Sequence, residues 1–215
     1  MANAGQTVDA SVLRSVRALY LTAFTSGAVL MGVQIAGSRI LAPRFGTAIY
    51  VWGSLIGLFL VAMTLGYELG GKWADKKPSY KLLAGILTAA GLYVALVIFP
   101  LGGRICVAVA GAGLGKLGGP LAAAALIFFV PCFLMAMTSP FAIRLLARNR
   151  EGLGGVAGRL SAFSTFGSIV GTLATTFFLI PYVRVSLTLG LLGVGLVAAC
   201  VAGMLLFKEP APRES

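Results

Sequence analysis

Residues 34–80 read QIAGSRILAPRFGTAIYVWGSLIGLFLVAMTLGYELGGKWADKKPSY. An apolar segment ends at Ser38-Arg39, a short turn with Pro43 and Gly46 follows, and a second apolar run opens on Tyr50 and Trp52. That run closes on Gly66, Glu68, Gly70 and Gly71 and gives way to Trp73, Asp75 and a lysine cluster. A bilayer core of about 30 Å takes about 20 helical residues. The stretch therefore reads as a helical hairpin crossing a membrane, with aromatic and charged residues at its boundaries.

The whole chain agrees. Of 215 residues, 59% are hydrophobic and 11% charged, and the mean hydropathy is +0.98. Soluble domains carry about 25% charged residues, and a soluble core of this size has no room for so much apolar surface. Six segments are long enough to span: 18–37, 49–69, 82–101, 121–143, 160–180 and 186–207. Unpaired backbone groups cost too much in lipid for these to be anything but helices, and the composition lacks the alternation of a membrane barrel. The fold class expected is an all-α integral membrane protein, a six-helix bundle over 18–207 with tails at 1–17 and 208–215. Residues 105–117, rich in glycine and too short to span, read as an interfacial or re-entrant piece.

Charge gives the orientation. With six spans, twelve of the seventeen basic residues fall on the side of both termini, and Arg39, Arg44, Arg104, Lys116 and Arg184 fall on the other. Basic residues favour the cytoplasmic side, so both termini are expected there, in the cell inner (plasma) membrane. The net charge of +11 then reflects membrane topology and not nucleic-acid binding. Three scattered cysteines and no histidine point away from a structural metal site. No nucleophile–base set can be assembled, and the GxGxxA pattern at 193–198 lies inside an apolar span with no strand before it. No catalytic residue, metal or cofactor is expected.

A few polar residues within or beside the spans carry the functional options. Glu68 is the one acid inside an apolar run, and an intramembrane acid is a functional candidate by default. With Asp75 it forms an inner, gate-like group whose expected partners are Arg144 and Arg159. The fifth span places Ser161, Ser164, Thr165, Ser168, Thr172, Thr175 and Thr176 on one face, beside Gly167 and Gly171. That face is either a helix-packing surface or a polar wall of a substrate path. Gln34 on the first span has the same two readings. Pro131 and Pro140 are expected to interrupt the fourth span and Pro181 to end the fifth. At the outer end, Arg39 and Arg44 flank Pro43 and either snorkel or bind an anion.

Several of these residues recur together in a known pattern. They are Ser38-Arg39-Ile40-Leu41-Ala42-Pro43 with Phe45-Gly46, Tyr50-Val51-Trp52-Gly53, Leu65-Gly66-Tyr67 with Gly70-Gly71 and Ala74-Asp75, Thr138-Ser139-Pro140, Ala157-Gly158-Arg159-Leu160, and Ser164-Thr165 with 167–172, then Ile180-Pro181. Together they resemble the transmembrane domain of membrane-bound spermidine synthase-like proteins. The Gly71-to-Asp75 loop also resembles the signature between the second and third helices of the major facilitator superfamily. The resemblance implies one half of a major facilitator fold, joined in the family to an aminopropyltransferase domain. That domain does not follow Phe207 here, so no enzyme activity is expected.

Two functions follow as expectations. One is a half-transporter-like module for a small polar metabolite, in which a parallel homodimer reproduces a twelve-helix pore. Its path or gate residues are Gln34, Glu68, Asp75, Arg144, Arg159, Ser164, Ser168 and Thr172. The other is a non-transporting anchor or accessory subunit for a separately encoded soluble aminopropyltransferase or a larger membrane complex. Its basic loops suit an acidic partner or anionic lipid. The bilayer is a partner in both.

Overall fold

A computed structural model describes residues 10–147 and 153–207. The expected tails, and the basic residues Arg148, Arg150, Lys208 and Arg213, lie wholly or partly outside the described residues. Six helices long and apolar enough to cross a membrane make up the structure. We number them α1 (Ala10–Phe45), α2 (Ile49–Lys76), α3 (Tyr80–Gly111), α4 (Gly115–Ala147), α5 (Gly154–Tyr182) and α6 (Val185–Leu206). The protein is a multi-pass, all-helical membrane protein, with no strand among the described residues.

The helices run further than the apolar runs suggested. α1 continues through Pro43 to Phe45, so Pro43 is helical and not part of a turn. The chain reverses only after Gly46, whose φ of +76° ends the helix while its N–H bonds the Ala42 carbonyl at 2.9 Å. The expected interfacial piece at 105–117 does not exist as a separate element. Residues 105–111 are the end of α3, 112–114 form the turn, and 115–117 begin α4.

The third helix also runs on past the boundary expected at Leu101, through Pro100. Proline removes a backbone donor, and its ring crowds the carbonyl four residues back. Here a π-helical turn at Val94–Ile98 absorbs the fault: the Phe99 N–H reaches back to the Val94 carbonyl, and the helix continues. The same device precedes Pro181, where a π turn at Thr175–Leu179 closes with Ile180 N–H on the Thr175 carbonyl. In both cases the residue donating the long bond stands immediately before the proline. Pro131 leaves α4 unbroken. The break comes at Met137, where the chain winds again as Thr138–Ala147 with Pro140 in its first turn.

α1 and α4 form the centre, with 56% of each span buried, whereas α5 is 17% buried. α2 packs on α4, α5 on α1, and α6 on both α1 and α3. Small residues permit these approaches. A methyl on Gly66 of α2 would lie 2.6 Å from both the Phe133 carbonyl oxygen and the Ala136 Cβ of α4. Gly167 and Gly171 of α5 rest directly on the backbone of Phe24 and Ala28 of α1. Close backbone contact through small residues is the means by which helices associate where lipid removes the hydrophobic drive between them. Phe163, Phe166, Ile169, Leu173, Phe177 and Phe178 stay exposed on α5, as do Ile56, Leu60 and Leu65 on α2. Such a surface belongs in hydrocarbon.

Candidate functional site

The ends of the bundle carry different chemistry. At the end holding the 77–79 turn, Arg144 Nε lies 3.1 Å from Asp75 Oδ1, an exposed ion pair that ties α4 to the end of α2. This is one of the expected partnerships. The other is corrected. Glu68 accepts a bond from Lys72 Nζ at 2.6 Å, one turn along its own helix, and both side chains are more than half exposed. Lysine four residues after a glutamate is the favoured helical order, so the local partner wins over Arg144 and Arg159 on other helices. Arg159 is exposed and makes no ion pair among the described residues. Glu68 lines none of the cavities described below.

α2 and α5 make no substantial contact with each other. Between them lies a cleft floored by α1 and α4, and it holds two cavities. The first, of about 120 Å3, lies between Tyr67 of α2, Ser26 of α1, Thr138 and Ser139 of α4, and Ser164, Thr165 and Ser168 of α5. The buried hydroxyls of Ser26 and Thr138 stand 2.9 Å apart and share the Met135 carbonyl, at 3.2 and 2.7 Å. This carbonyl lies just before the break in α4, so the two hydroxyls tie α1 to the break. Ser168 shares its proton between the carbonyls of Ser164 and Gly27, at 3.1 and 3.3 Å, and Thr172 bonds the Ser168 carbonyl at 2.8 Å.

The hydroxyl face of α5 thus divides. Ser168 and Thr172 spend their protons on backbone, as packing residues do. Ser139, Ser164 and Thr165 line the cavity without a hydrogen-bond partner among the described residues. No charged side chain lines this cavity.

The second cavity, about 330 Å3, continues the cleft toward the opposite end, with Ser38, Arg39, Thr47, Trp52 and Thr176 among its lining. Arg39 is its single charge. Arg44 is not there. Because α1 stays helical, five residues separate the two arginines by about 140° around the axis, and Arg44 faces a third cavity with Lys116. Of the two readings offered for Arg39 and Arg44, binding of one anion by both in a tight turn is therefore corrected. Gln34 is half-buried on α1 and lines none of the three cavities.

Tyr80, which the apolar pattern left in a loop, starts α3 fully buried. Its hydroxyl meets Thr22 Oγ1 at 2.8 Å, Thr22 lies equally close to the Ala18 carbonyl, and the ring stacks on Phe207 at 4.4 Å. This joins α1, α3 and the end of α6, and no periodicity in the sequence announces it. Lys116 was likewise invisible as a cavity residue until the 112–114 turn brought it beside Arg44. No group of acids and cysteines among the described residues is arranged to hold a metal ion. No protein-family model, curated protein or solved structure matches the chain.

Proposed function

We propose that the chain is a half-transporter-like module that passes a small neutral or zwitterionic polar metabolite along the cleft between α2 and α5. The observation carrying this reading is the set of unpartnered hydroxyls of Ser139, Ser164 and Thr165 around a cavity with no charge. Hydroxyls that spend no proton on helix packing are free to meet a polar solute. A polycation such as a polyamine needs carboxylates, and Glu68 and Asp75 are engaged by Lys72 and Arg144 outside the cleft. With both termini cytoplasmic, as the basic residues favour, the arrangement is that of one facilitator half. A second copy related by an axis along the membrane normal would cover the cleft.

A second reading, a non-transporting anchor or accessory subunit, draws on Ser168 and Thr172, whose hydroxyls serve packing. Uptake into proteoliposomes separates the two. Serine and other small zwitterions or polyols are the probes, with spermidine as comparison. Transport predicts flux that falls in Ser164→Ala/Thr165→Val and is unchanged in Glu68→Gln. Absence of flux for every probe, together with a stoichiometric partner in gentle detergent, supports the anchor.

A further inference from the structure

The end of the bundle opposite Asp75 is devoid of acid. Among the described residues the acids are Glu68 and Asp75, and both belong to the other end. The acid-free end carries Arg39, Arg44, Arg104, Lys116 and Arg184, all exposed, and both described ion pairs lie elsewhere. Five like charges at one end of a bundle repel one another, and no described acid lies at that end to neutralise them. Their counter-charge must come from outside the chain.

Two of the five line one cavity. The α1–α2 and α3–α4 connections border an open cavity of about 590 Å3, lined by Arg44, Phe45, Tyr50, Val109, Leu114 and Lys116. The volume is that of a small-molecule site. Its chemistry is divided: two cations and the Tyr50 ring on one part, aliphatic and aromatic side chains on the rest. An arginine fork and a lysine point charge together match the oxygens of a phosphate. The apolar walls match what a phosphate is attached to when it stands at a membrane surface. Arg39, Arg104 and Arg184 lie outside this cavity.

We propose that this cavity is a phosphate-binding site, in which Arg44 and Lys116 hold a phosphate group presented at the membrane surface. The proposal is independent of the transport reading, since the cavity lies apart from the α2–α5 cleft. Its ligand chemistry has two sources, an anionic phospholipid headgroup and a free phosphate.

The test uses the full chain purified in a neutral detergent. It is titrated with short-chain phosphatidylglycerol, short-chain phosphatidylcholine and inorganic phosphate, and binding is read by native mass spectrometry and by the thermal midpoint. Phosphatidylglycerol should bind more tightly than phosphatidylcholine. A basic side chain near an anionic lipid is worth roughly fivefold in affinity, so Arg44→Gln/Lys116→Gln should weaken binding about thirtyfold. Arg184→Gln, at the same end but outside the cavity, and Lys76→Gln/Lys77→Gln, at the other end, should change it by less than about twofold on the same reasoning. If inorganic phosphate displaces the lipid and raises the midpoint by itself, the free anion is the ligand; if only the lipid binds, the headgroup is. Equal binding of the two lipids with no effect of phosphate, or full affinity in a folded double variant, overturns the proposal. Should the double variant not fold, Lys116→Gln alone must show the fivefold loss, and unchanged affinity there is equally fatal.

Discussion

Alanine at Gly66 and at Gly71 should move stability in opposite directions, although the two sites lie five residues apart on one helix. At Gly66 the added methyl would meet the Phe133 carbonyl and the Ala136 Cβ, both at 2.6 Å. Ordinary contact begins near 3.4 Å, so α2 must move off α4 by about 0.8 Å or bend around the site. Neither obstacle is the end of a flexible side chain. Forcing extra volume into a packed contact costs about 1–3 kcal/mol. At Gly71 the nearest atom is the Pro140 Cβ at 3.9 Å, an ordinary contact. There the substitution keeps only the advantage of alanine over glycine in a helix, about 0.5–1 kcal/mol. Both sites gain that advantage, so the difference between the variants isolates the contact term, and Gly66→Ala should be less stable than Gly71→Ala by about 1–3 kcal/mol. Reversible unfolding of the purified protein in mixed micelles, followed by circular dichroism, measures this difference. Equal stabilities for the two variants would falsify the α2–α4 packing and with it the wall that closes the cleft.

Other expectations follow from single contacts. Tyr80→Phe removes the buried hydroxyl from Thr22 but leaves Thr22 on the Ala18 carbonyl, so the loss should be about 0.6–1.7 kcal/mol in the same unfolding assay. A double-mutant cycle on Asp75→Asn and Arg144→Gln should yield a coupling of about 0.2–1 kcal/mol, shrinking with salt, because both groups are exposed. A coupling above that range would place the pair in a far drier setting. Cys106, Cys132 and Cys200 are all free and buried, so a maleimide should label none of them in the folded protein and all three after denaturation, as counted by intact mass.

How much of the candidate site could be read beforehand depended on the range of the interaction. The hydroxyls on α5 lie three or four residues apart, and helical geometry alone puts them on one face. Which of them pack and which stay free could not be seen, because that turns on the carbonyl of Gly27, 141 residues away from Ser168. The Asp75–Arg144 pair was anticipated from opposite charges at matching helix ends, but Glu68 found a partner four residues away, and local geometry outweighed reach across the bundle. The prolines misled in a consistent way. Pro43 suggested a turn and Pro131 an interruption, yet the helices run through both.

By itself the sequence determined that this chain carries six helices long and apolar enough to cross a membrane. Length, hydropathy and the scarcity of charge leave no alternative where backbone groups must bond within their own segment. The tertiary structure alone decided where polar groups meet. Opening on residues 34–80, the sequence presented Arg39 and Arg44 as neighbours in a turn. The continued helix sends them to different cavities, and the fold brings Lys116, 72 positions further along the chain, to the same cavity as Arg44. The reason is physical: hydropathy is a local sum along the chain, whereas a cavity is made of side chains from four helices, and their meeting is fixed by packing at glycines such as Gly66 and Gly167.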